Sequence, residues 1–303
     1  MKVLNVLRVT AALGSIGMIV ACGTAYSSNS ASSVPAPTAA TVVQLQQIRN
    51  ATVKIDFAGT TFLVDPMLSA KGAFPGFPNT YRSELRNPLV DLPFTADQVL
   101  ESVEAVVVTH THTDHWDEAA QKRIPKDMPI FVQNDLDAKT IRGQGFKDVR
   151  VLQDTTTFNG VKLSKTGGQH GTDLWFADPV RSEGMGPVMG VVFSAPKAKT
   201  VYVAGDTVWR PEVDQALTTH KPDVIVLNTG SALMSGFEEH PIIMGKQDAL
   251  QAAKAAPKAA IVAVHMDSVN HMSLSRKELR AFLQEQKIQD RVAIPADGET
   301  MRF

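Results

Sequence analysis

Cysteine is nearly missing from this chain: Cys22 is the only one in 303 residues. That excludes an intramolecular disulfide framework and a thiolate-rich metal cluster. Net charge is nearly missing too, with Lys+Arg 30 against Asp+Glu 31 and a formal balance of −1. A chain without a basic excess has no electrostatic drive towards nucleic acid, because neutralising phosphates needs a positive surface. No uninterrupted apolar run of about 18 residues occurs, which excludes an ordinary transmembrane helix. Short-period repeats are absent and no break in composition divides residues 42–303, so neither a solenoid nor a string of small modules is expected. What is there, 44% hydrophobic and 20% charged residues, suffices for one domain with a full core.

The front of the chain reads as an address. Lys2 and Arg8 flank the start of an apolar stretch, Val9 to Val20, with the length of a signal-peptide core and too short to span a bilayer. It ends in Val20-Ala21-Cys22-Gly23, which resembles the lipobox of bacterial lipoproteins. Residues 1–22 are thus expected to be a lipoprotein signal, with the membrane reached through a lipid on Cys22 only. The expected location is the bacterial cell envelope, facing the periplasm or the cell surface. A plain secretory signal cut near Gly23-Thr24-Ala25 is the alternative. Residues 23–41 are uncharged and dominated by Ser, Ala, Thr and Pro, a composition that cannot bury enough apolar surface to order itself. They read as a flexible linker, and the folded domain is expected over 42–303.

Within that domain, Val53 to Phe57 and Thr61 to Val64 alternate as a hairpin around Ala58-Gly59. Residues 70–94, with Pro75, Pro78, Pro88 and Pro93, form a long irregular loop of the kind that often rims a site. Thr95 to Gln98 has the pattern of a capping box, and Ala105 to Thr109 is a buried strand. Helices are expected at Asn134–Arg142, Lys246–Ala256 and after Ser275. Strands are expected at 161–165, 189–193, 200–204, 223–227, 260–264 and 292–294. This mixture of hairpins and strand–helix alternation implies a layered α/β fold.

Directly after the 105–109 strand comes His110-Thr111-His112-Thr113-Asp114-His115. Three imidazoles and a carboxylate in six residues are costly to bury without a cation, and they are the usual ligands of zinc and its neighbours. Positions 110 and 112 can point to one side while 114 and 115 turn towards a second ion.

This run matches the H-x-H-x-D-H signature of the metallo-β-lactamase superfamily, and the resemblance extends over 42–303. Asp65, His170 in Gly167-Gly168-Gln169-His170, Asp206 in Gly205-Asp206-Thr207, and His265 follow in the family's order. The resemblance implies an αββα sandwich and two divalent ions, zinc first and manganese or iron(II) as alternatives. One ion would be held by His110, His112 and His170, the other by Asp114, His115 and His265, with Asp206 bridging. Asp65 would orient the ligand loop rather than bind metal. Val53-Lys54-Ile55, Asp65-Pro66 and Gly205-Asp206-Thr207 look more like the L-ascorbate-6-phosphate lactonase branch than like glyoxalase II.

The implied activity is hydrolysis of a small-molecule lactone or ester by a metal-bridging hydroxide, with His271 or Asp114 assisting proton transfer. A phosphodiesterase of the same fold, related to N-acyl-phosphatidylethanolamine phospholipase D, is one alternative. A metal-binding surface lipoprotein without catalysis is the other. His240 is a second candidate for substrate contact, and His220 reads as a helix-terminal cation. Asn228-Thr229-Gly230 leaves a buried strand towards the ligands. Trp116, Trp175 and Phe74 are candidate pocket walls, and Arg181 and Arg210 are the nearest cations to the motifs.

Overall fold

A computed structural model describes residues 42–178 and 185–303. The expected signal and linker, Cys22 and Arg181 lie outside the described residues. Among those described, no helix is long and apolar enough to cross a membrane.

Alternating side chains build the first sheet. β1 (Gln44–Arg49), β2 (Thr52–Phe57) and β3 (Thr60–Val64) are an antiparallel meander. Ala58 and Gly59, both at positive φ, turn β2 into β3. β1 goes beyond the expected hairpin: its glutamines disguise a strand that buries Leu45 and Ile48 on opposite faces. β4 (Ala105–Val108), β5 (Ile130–Val132) and β6 (Val149–Val151) then extend the sheet in parallel. The second sheet repeats the plan. β7 (Thr155–Phe158), β8 (Val161–Thr166), β9 (Gly190–Ser194) and β10 (Val201–Val203) pair antiparallel. β11 (Val224–Asn228), β12 (Ala260–Val264) and β13 (Val292–Ala293) continue in parallel. β14 (Thr300–Arg302) returns to the first sheet beside β1.

Parallel strands need crossovers, and helices supply most of them. α1 (Ala96–Leu100), α2 (Glu118–Arg123) and α3 (Asp135–Gly143) serve the first sheet. The short α4 (Asp173–Phe176) follows β8. α5 (Pro211–His220), α6 (Lys246–Ala255) and α7 (Arg276–Glu285) serve the second. The capping boxes expected at Thr95 and Ser275 both form, each with its glutamine or glutamate three residues on. α2 was hidden by the metal-binding run before it, although Asp117 caps it by accepting Ala120 N–H at 2.8 Å.

The sheets pack face to face over Ile55, Phe62, Val107, Phe193, Val226 and Val262. Phe62 meets Phe193 edge-on, ring centroids 5.1 Å apart, a geometry worth about 0.5–1.5 kcal/mol beyond area burial. The opposite faces of the same strands are also covered. Val106 and Val108 pack beneath the helices of the first sheet, and Ile225, Leu227 and Ile261 beneath those of the second. Strands buried on both faces read as unbroken apolar runs, which is why 105–108 and 224–227 were legible as strands. The arrangement is the expected αββα sandwich.

Candidate metal centre

Every ligand candidate stands just beyond the end of a strand. Asp65 follows β3, His110 to His115 follow β4, His170 follows β8, Asp206 follows β10, and His265 follows β12. Asp65 and His265 themselves adopt left-handed backbone, φ 49° and 66°, a conformation costly for side-chain-bearing residues and concentrated at functional sites. Asp206 is set by its neighbour: Gly205 has φ 71°, and a Cβ there would lie 2.5 Å from the Met189 carbonyl.

These turns gather the seven ligand candidates of the sequence into two groups. His110, His112 and His170 form one; Asp114, His115, Asp206 and His265 form the other, with the candidate ligand atoms of each group within 4.8 Å of one another. All but the half-buried His112 are buried. His110 Nε2 lies 3.0 Å from His112 Nδ1. His170 donates from Nδ1 to the Ile242 carbonyl at 3.0 Å, which leaves Nε2 for the cluster. Asp206 Oδ2 lies 3.0 Å from His115 Nε2, 3.4 Å from His265 Nε2 and 3.6 Å from His170 Nε2. It therefore touches both groups. Asp65 accepts from Thr109 N–H at 2.7 Å, from Thr109 Oγ1 at 2.8 Å and from His115 Nδ1 at 2.8 Å. These three bonds tie it to the ligand loop, and it stands outside both groups.

The donor set fits divalent metal. Asp114 Oδ2 is buried without a hydrogen-bond partner, an arrangement that costs free energy unless a cation satisfies it. His115 Nε2 and His265 Nε2 face each other at 3.1 Å, with His115 Nδ1 already committed to Asp65, so both Nε2 lone pairs can be offered to one cation. Imidazole and carboxylate donors suit zinc and its first-row neighbours.

The two groups differ electrostatically. Burial, reinforced by the neighbouring imidazoles, pushes His110 well below the usual histidine range, and burial takes His170 down to about 3. In the second group burial also opposes charge, but Asp206, Asp114 and Asp65 outweigh it and hold His115 well above its usual range. For His265, Asp206 and Asp114 do the same, to about 9. Protons held on His115 and His265 at neutral pH must leave when an ion binds. Affinity of the second group should therefore rise with pH from 6 towards about 9, with protons released on binding. Zinc titration calorimetry in buffers of different ionisation enthalpy measures both effects; a proton count of zero at pH 7 contradicts this account.

The Beta-lactamase superfamily domain matches residues 60–266. The chain belongs to that superfamily. Within it the UPF0173 protein YddR of Bacillus subtilis is 44% identical over 261 residues, 86% of this chain and all of that one, so this is also a UPF0173 member. A possible metal-dependent hydrolase from Veillonella parvula superposes with TM-score 0.85 at 49% identity, covering 86% of this chain and 99% of the other. The isothiocyanate hydrolase from Delia radicum gut bacteria does so with TM-score 0.83 at 50% identity and the same coverage. This UPF0173 protein is a metal-dependent hydrolase of the metallo-β-lactamase fold. The likenesses reach the superfamily and UPF0173.

In this UPF0173 member a cavity of about 390 Å³ opens on the ligands, lined by His112, Asp114 and His170 on one side. Its other walls are Phe77, Pro78, Met185, Met234, Ile242 and His271, together with Thr80, Thr111 and Thr113. Burial pushes His271 down to about 4, so its ring is neutral at neutral pH, with Nδ1 unpartnered. His240 instead stacks on Phe237, centroids 4.7 Å apart, away from the cavity lining. Trp116 is core packing, its Nε1 donating to Gln144 at 2.8 Å. Trp175 packs on Phe237. Phe74 backs Phe77 from behind. Arg210 is engaged by Asp173 and Glu212, and His220 ends α5.

Three supporting contacts escaped the sequence reading, although Asn228 itself was placed there on the side of the ligands. The Asn228 side chain, not its backbone, serves the centre, donating Nδ2 to Asp206 Oδ1 at 2.6 Å. Asn50 donates to the Asp114 carbonyl at 3.1 Å and accepts His265 N–H at 3.0 Å. Asn270 is the third. An asparagine closing an apolar strand, as at Asn228, is the kind of local signal that could have found the first.

Proposed function

We propose that this protein holds two divalent ions and hydrolyses a small uncharged electrophile with an apolar substituent, an isothiocyanate R–N=C=S. The observation that carries the reading is the cavity wall: beyond the ligand cluster and His271 its largest side chains are apolar or aromatic, set among three threonines, with no lysine or arginine among its described residues. Such a wall welcomes an uncharged chain and offers no clamp for a phosphodiester. The 50% identity to an isothiocyanate hydrolase supports the choice of electrophile. A lactone or ester carbon, expected from the sequence, is electrophilic in the same way and serves as the comparison.

Bound ions would supply a nucleophilic hydroxide near neutral pH and polarise the electrophile. The chain's own residues do the rest. Phe77, Met185 and Met234 hold the substituent and exclude water. Asp114, at the cavity edge, is placed to take a proton from the adding water. His271, neutral, can return one to the nitrogen. Water adds across C=N to give a thiocarbamic acid, R–NH–C(O)SH. Its C–N bond then breaks as the S–H proton moves to nitrogen, leaving R–NH2 and O=C=S.

The test is turnover by the zinc-loaded full chain of phenethyl isothiocyanate beside a lactone, a simple ester and a phosphodiester, following amine release. The expected kcat/KM for the isothiocyanate is about 10⁴ M⁻¹s⁻¹ or more. Preference for the lactone or ester, or silence towards all four, overturns the isothiocyanate reading.

A further inference from the structure

Asn270 belongs to neither ligand group and is not among the residues lining the cavity. It is nonetheless fully buried, and every bond of its side chain goes to a single loop. Oδ1 accepts Phe77 N–H at 3.0 Å and Asn87 Nδ2 at 2.8 Å. Nδ2 donates to Thr80 Oγ1 at 2.7 Å and to the Tyr81 carbonyl at 2.8 Å. Two acceptor positions and two donors are the whole capacity of an asparagine amide. Its backbone joins in: N–H donates to Asn87 Oδ1 at 2.8 Å, and the carbonyl accepts Arg82 Nε at 3.0 Å.

The loop, residues 74–87, forms no helix or strand ladder, only isolated bridges such as Phe74 to Asn87. Its buried backbone groups must find partners elsewhere, and Asn270 provides two of them, accepting Phe77 N–H and donating to the Tyr81 carbonyl. Phe77 is thereby held edge-on to His271, centroids 4.9 Å apart at 87°, and Phe77, Pro78 and Thr80 become one cavity wall. Thr80 bridges Met234, and Tyr81 N–H donates to the Leu233 carbonyl at 3.1 Å, so the opposite wall is tied to the same loop.

We propose that Asn270 is the positioning residue that fixes the Phe77 wall beside His271 and so sets which apolar substituents the hydrolase accepts. The proposal rests on the isothiocyanate reading for its substrates. Apolar pockets discriminate by fit, a methylene being worth about 10- to 200-fold.

Asn270→Ala in the zinc-loaded full chain should keep its metal and raise KM by more than it lowers kcat. It should lose about tenfold of the kcat/KM preference for phenethyl over methyl isothiocyanate. Phe77→Ala should lose the same preference, and the double variant no more than either, because both remove one coupling. Thr80→Val removes one bond of the four together with the Thr80 Oγ1 donation to the Phe77 carbonyl at 2.7 Å, and serves if Asn270→Ala does not fold. In either variant the Phe77 amide should exchange with solvent at least about tenfold faster, with the Thr109 amide unchanged. An additive double variant, an equal loss on both substrates, or unchanged Phe77 exchange overturns the proposal. A parent enzyme that hydrolyses no isothiocyanate sinks the functional reading alone, and the Phe77 exchange still decides the positioning.

Discussion

Asp206→Ala is expected to lower kcat/KM by at least about a thousandfold and to strip the second ligand group of its metal. Asp206 Oδ2 lies within 3.6 Å of an imidazole nitrogen from each group, so it is the carboxylate that joins them. Its own charge is secure: burial opposes it, but His115 and His265 outweigh burial and hold the carboxyl well below the usual range. A two-metal site contributes several kcal/mol of transition-state stabilisation, and about 1.4 kcal/mol is tenfold in rate. The same substitution leaves Asn228 Nδ2 without its acceptor, a further cost of about 1–3 kcal/mol in stability. Asp206→Asn separates the effects, since it keeps the volume and loses the charge. Metal content by elemental analysis, read beside kcat/KM, is the measurement. Activity within tenfold of the parent in either variant would remove Asp206 from the centre.

Asp65→Ala should be the most damaging change outside the two ligand groups. Its buried carboxylate accepts from Thr109 N–H, Thr109 Oγ1 and His115 Nδ1. Without it three donors lose their acceptor, and His115 loses the bond that points Nε2 at the cluster. Removing one partner of a buried charged pair costs about 3–5 kcal/mol, and loss of a ligand's outer partner about 10- to 100-fold in metal affinity or activity. Thermal unfolding of the zinc-loaded and chelator-treated protein separates the two losses. Asp65→Asn keeps an acceptor at one oxygen position but turns an NH2 towards a donor at the other, so it should recover only part of the stability and little of the metal affinity. Equal zinc affinity in Asp65→Ala and parent would show that His115 is oriented by something else.

The reach of sequence reasoning here followed how local each signal was. Thr95 and Ser275 announced their helices because a capping box spans four residues. The β4 strand was legible because both its faces are buried, leaving an unbroken apolar run. β5 and β6 were not read at all; three residues each carry no periodicity. Trp116 stands next to the ligand run and was taken for a pocket wall, yet the chain turns after His115 and buries it against Phe146.

The ligand set belongs to what the sequence by itself determined. Four of its residues lie within six positions, and the others stand in family order, so their chemistry could be named before any geometry. The sandwich followed from the same resemblance and from the strand–helix grammar. What only the tertiary structure decided is which asparagines brace those donors and their loops, and what walls the cavity. Asn270 bonds Asn87 across 183 positions and Thr80 across 190, and no local pattern marks an asparagine for such a task. A hydrogen bond between distant segments comes into being only when packing brings them together, and its partners follow from the fold rather than from their neighbours in the chain.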